Sequence, residues 1–94
     1  MSKIRRLVLD ILKPHQPTII EISQKISDIE GVEGVNSSLM EVDEEVKNIK
    51  ITIEGSFEEQ SVRKVIDQEA GSIHSIDEVA VGEKMVDKVE TPQD

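Results

Sequence analysis

A split βαβ, or ferredoxin-like, sandwich is the α+β fold this chain predicts, because alternating and helical apolar patterns follow in the order strand, helix, strand, strand, helix, strand. Two further observations agree. The apolar residues are mostly Ile and Val, which suit pleated sheet, and capping spacings precede both helical stretches. The predicted βαββαβ sheet is antiparallel, four-stranded and of order 4-1-3-2, with two helices on one face and the other face open.

The first strand reads Lys3 to Leu12, with Leu7, Leu9 and Ile11 on one face and Arg6, Val8, Asp10 and Leu12 on the other. Pro14 and Pro17 then stiffen a turn around His15. Thr18 with Glu21 has capping-box spacing, and Ile19, Ile22, Ile26 and Ile29 recur as one buried helical stripe. Gly31 and Gly34 stop this helix. The second strand covers Val35 to Asp43 and returns through a turn at Glu44 and Glu45 into a third, Val46 to Glu54, whose Ile49, Ile51 and Ile53 alternate with Asn48, Lys50, Thr52 and Glu54. Ser56 with Glu59 predicts a second capping box, followed by a helix whose apolar face is Phe57, Val62, Val65, Ile66 and Ala70. Gly71 ends it. The fourth strand, Ser72 to Val81, puts Ile73, Val79 and Val81 inward and His74, Ile76, Glu78 and Ala80 outward.

Ninety-four residues make one domain, read as residues 1–83, with 84–94 a tail that is frayed or docked on a neighbouring subunit. A chain of this size buries a modest core, which favours stabilisation by a second copy or an ion. There is no Cys, so disulfides, thiolate metal sites and Cys nucleophiles are excluded, and a cytoplasmic setting is expected. Twenty acidic residues against 11 basic ones give a net charge of −9. That field repels nucleic acid and anionic membrane surfaces and attracts cations. No apolar run approaches the roughly 20 residues needed to cross a bilayer as a helix.

The open face carries Arg6, Val8, Asp10, Leu12, Lys50, Thr52, Glu54, His74, Ile76 and Glu78, a mixture that fits a moderately polar subunit contact. Hard cations such as calcium or magnesium take several oxygen ligands, which makes Asp10, Asp43, Glu44, Asp77 and Glu78 the candidate metal ligands. None matches an EF-hand loop. Arg6, His15, Thr18 and His74 are candidate ligand or interface residues, His15 because it lies beside a helix N-terminus. No nucleophilic triad, P-loop or dinucleotide fingerprint is present, and the predicted central strands lack the aromatics that stack RNA bases. Copper-carrying members of this fold need Cys-x-x-Cys where this chain has His15-Gln16-Pro17-Thr18.

Four separated segments carry a resemblance: Val8-Leu-Asp-Ile-Leu-Lys-Pro-His15, Gly31-Val-Glu-Gly-Val-Asn36, Ser72-Ile-His-Ser-Ile-Asp-Glu78 and Thr91-Pro-Gln-Asp94. In this order they resemble the small archaeal proteins grouped as domain of unknown function 211. The resemblance covers nearly the whole chain and implies a ferredoxin-like fold, assembly into a closed ring, and divalent-cation binding. A weaker one is to amino-acid-sensing regulatory domains, which carry an Asp and a Pro-Gly in the first loop where this chain has Lys13-Pro14-His15. The expectation is a non-enzymatic, self-associating module that presents acidic surface to cations. The alternative is a small-molecule, amino-acid-like sensing domain with its ligand at subunit interfaces.

Overall fold

The computed structural model describes residues 3–69 and 71–89. Its elements are β1 (Ile4–Pro14), α1 (Ile19–Ser27), β2 (Val32–Val42), β3 (Val46–Phe57), α2 (Glu59–Gln68) and β4 (Ser72–Val81). The four strands form one sheet in the order β2-β3-β1-β4, and every neighbouring pair is antiparallel. The expected topology is the observed one.

Strict alternation along the two central strands sets the core. In β1, Leu7, Leu9 and Ile11 are buried, and in β3 their ladder partners Ile53, Ile51 and Ile49 are buried with them. Ile22 and Ile26 of α1 and Val62 and Ile66 of α2 close over this layer. The α1 stripe is held at its start by the capping box: Thr18 accepts the Glu21 amide, and Glu21 accepts from Thr18 in return. Burying these branched chains stabilises the fold by about 1.5–3 kcal/mol each.

β2 begins at Val32 rather than Val35, so Gly34 lies in the strand opposite Glu54 and not in the helix stop, and two further features depart from the sequence reading. The Ser56–Glu59 capping box does not form, because β3 runs on to Phe57, which pairs with Ile4 and is buried at the strand's end. The α2 N-cap is Glu58, which makes no side-chain cap. The second departure is in β4. Its ladder with β1 shifts register between Val8 and Leu9 and again between Asp10 and Ile11, leaving Asp77 and His74 outside the one-to-one pairing. As a result Ile76 faces Leu9 on the helix side rather than the open side, and Ala80 is buried opposite Arg6. Val79 and Val81, expected inside, are half exposed.

The exposure of β4 follows from lengths. Helices of 9 and 10 residues span about 14–15 Å, whereas strands of 10–12 residues span about 33–40 Å. The helices cover the central strands, where Lys13 and Phe57 at either end stay buried, and leave outer corners of the two edge strands uncovered. Where β2 enters beside the end of β3, the backbones approach so closely that a Cβ on Gly55 (φ +152°) would lie 2.1 Å from the Gly31 carbonyl oxygen. Only glycine fits there.

Candidate functional site

The open face is built by the alternate residues of β1 and β3 and is organised around two cations. Arg6 donates from Nε to Glu54 on β3 at 2.8 Å, and from one terminal nitrogen to Glu78 on β4 at 3.2 Å and to Asp87 at 2.7 Å. Those carboxylates, Glu54 first, raise the guanidinium well above the usual arginine range. Asp87 brings the segment after β4 back across its own sheet.

Lys50 on β3 reaches past β1 to Asp77 at 3.2 Å, and Ser75 donates to the same carboxylate at 2.8 Å. The Ser75 hydroxyl and then Lys50 hold Asp77 below the ordinary carboxylate range. Asp10 stands between Lys50 and Ser75 in the ladders, yet its Oδ1 is buried without a hydrogen-bond partner. The nearby cation has gone to Asp77 instead.

The hairpin at the other end uses its acids locally. Asp43 accepts the Val46 amide at 2.8 Å and the Glu45 amide at 3.0 Å, which depresses its pKa, and its carbonyl accepts from His15 Nε2 at 2.9 Å. The five carboxylates expected to ligate metal are thus split between the open face (Asp10, Asp77, Glu78) and the hairpin (Asp43, Glu44). Among the described residues no group of three His, Cys, Asp or Glu is placed to hold an ion. Arg6 and His15 lie at opposite ends of β1, roughly 30 Å apart by strand rise, Thr18 serves as a helix cap, and His74 is exposed on β4. These four do not form one site. A cavity at the hairpin, lined by Leu12, Glu41, Val42, Asp43, Val46 and Asn48, holds about 100 Å³, which suits a few waters rather than a metabolite.

Two features escaped the sequence reading. Lys13 is fully buried on the helix side, directly opposite Lys47. Exposed apolar residues also gather at two corners of the sheet: Leu39, Met40 and Val42 at the hairpin end of β2, and Val79 and Val81 at the far end of β4.

A family model described as uncharacterized ArCR, that of domain of unknown function 211, matches residues 5–94. The chain belongs to this archaeal family. An uncharacterized protein of Methanocaldococcus jannaschii is 45% identical over 95 residues, covering 100% of this chain and 98% of that one. The match to domain of unknown function 211 takes in β1 from Arg5, the other five elements and the segment that follows β4. Neither description names an activity. Among the described residues no helix is long and apolar enough to cross a membrane.

Proposed function

We propose that this protein is a non-enzymatic assembly module whose copies join head to tail through diagonally opposite corners of the sheet. The observation that carries this reading is the pair of uncovered apolar corners. Leu39, Met40 and Val42 are 50–52% exposed, and Val79 and Val81 are 52% and 51% exposed. Because β2 and β4 run in opposite directions on opposite edges, these groups lie at diagonal corners.

Both edge strands also present unpaired backbone groups, and neither contains the Lys or Pro that commonly blocks edge pairing. A two-fold contact would have to seat both unlike pairs at once, whereas these corners lie on opposite edges of the sheet. A patch-to-patch contact between unlike corners is heterologous, and its repetition gives a ring where the rotation closes and an open filament where it does not. Static light scattering at several concentrations tests this: the expected result is a defined multimer, and a strictly monomeric folded protein would overturn it.

Divalent-cation binding is the second reading, favoured by the partnerless Asp10 Oδ1 on the open face that also carries Asp77 and Glu78, paired there with Lys50 and Arg6. With too few ligands gathered in one chain, calcium or magnesium would take the remainder from a neighbouring copy. The same scattering measurement, run with calcium and with chelator, reads this as a calcium-dependent mass. An identical mass in both removes it.

A further inference from the structure

The end of the sandwich beneath the β1–α1 connection has a charge arrangement that local structure does not explain. Lys13 continues the inward series Leu7, Leu9, Ile11 and is 1% exposed, and the register sets Lys47 directly opposite it. Like charges facing each other across an antiparallel pair are destabilising, and a buried ammonium is more so. Lys13 Nζ donates to the Pro14 carbonyl at 2.6 Å, which uses one of its three donors. Among the described residues neither lysine has a carboxylate within ion-pair distance, although the chain carries 20 acidic residues. Glu21, whose charge Lys13 does feel, is engaged in the Thr18 capping box.

Other groups at this end favour the same sign of ligand. The Thr18 side chain caps the Glu21 amide, which leaves the amides of Ile19 and Ile20 in the first turn of α1 without an intrahelical partner. An open depression of about 300 Å³ lined by Leu12, Lys13, Pro14, Val46 and Ser72 borders the same end.

We propose that this end is a binding site for a small oxyanion, of the phosphate or carboxylate class, with Lys13 and Lys47 as its paired cations. The anion would supply the counter-charge that the fold withholds and engage donors that Lys13 leaves unused. Burial and the facing Lys47 lower the Lys13 pKa, and a bound anion would oppose that shift. Lys47 is also the ladder partner of Val42, so the site adjoins the β2 corner, but the facing lysines are set by the ladders of a single chain.

The test uses the full chain and inorganic phosphate, with acetate as the carboxylate arm and chloride as the ionic-strength control. Thermal unfolding is followed by circular dichroism, since the chain has neither Trp nor Tyr. A ligand that binds only the folded state raises the midpoint with concentration. Phosphate or acetate is expected to raise the wild-type midpoint above the chloride control, and Lys47→Gln and Lys13→Met should remove that difference. Lys47, partly exposed, provides a second variant that is expected to fold even if Lys13→Met does not. Amide shifts of Ile19 and Ile20 on phosphate addition are the direct readout. If neither phosphate nor acetate exceeds chloride, or the excess persists undiminished in Lys47→Gln, the proposal is overturned.

Discussion

A single lysine shows how far local pattern carries. Leu7, Leu9, Ile11 and Lys13 are one period-two series, so the burial of Lys13 was visible in the alternation once β1 is extended past Leu12. Pro14 concealed it, because proline reads as a strand end, whereas here it occupies the last strand position opposite Val46. Burial first and Lys47 second lower the Lys13 pKa below 10.5, the ordinary lysine value. In the interval between the folded value and 10.5 the unfolded chain binds more protons, so this residue's contribution to stability improves as pH rises. We therefore expect Lys13→Met, measured in phosphate-free buffer, to be more stable than wild type by about 1 kcal/mol near neutrality. Urea unfolding across the alkaline range should show that gap narrowing; a gap that stays constant would contradict the account. The Asp10 oxygen without a partner had no signature in the sequence, since its isolation depends on Lys50 reaching past it to Asp77.

At the scale of elements, the two central strands and α1 were legible, and the two elements that follow β3 were less so. β1 and β3 are flanked on both sides by other strands, so alternation alone decides their faces. β4 has a partner on one side only and carries two extra residues against β1, which moves Ile76 to the helix side, while Ala80 keeps its expected open side but is buried beside Arg6. The start of α2 was misplaced for a related reason: the pairing of Phe57 with Ile4 and its burial outweigh the local preference of Ser56 for a cap. This difference is measurable. Thr18→Ala removes an observed cap and should cost about 1 kcal/mol, whereas Ser56→Ala removes none and should stay within about 0.5 kcal/mol of wild type. Chemical denaturation of both variants checks this, and a larger loss for Ser56→Ala than for Thr18→Ala would contradict the assignment.

For the whole molecule, the governing quantity is the mismatch between short helices and long strands. The sheet of order β2-β3-β1-β4 was readable from the succession of patterns, but the overhang was not, because helix and strand lengths have to be set side by side in space before the uncovered corners appear. It leaves apolar surface at the hairpin end of β2 and at the far end of β4, and such patches mark contacts with other molecules. Apart from Asp10, the carboxylates of the open face are held in ion pairs centred on Arg6 and Lys50, so the corners, not that face, are the stronger candidates for association. The most direct test mixes two variants, Leu39→Glu and Val79→Glu, and determines mass by sedimentation velocity. Each alone has one intact corner and should be monomeric, while the mixture should form a one-to-one dimer and nothing larger, because one competent corner remains on each chain. A mixture that stays monomeric, or either variant assembling alone, would contradict head-to-tail association through these corners.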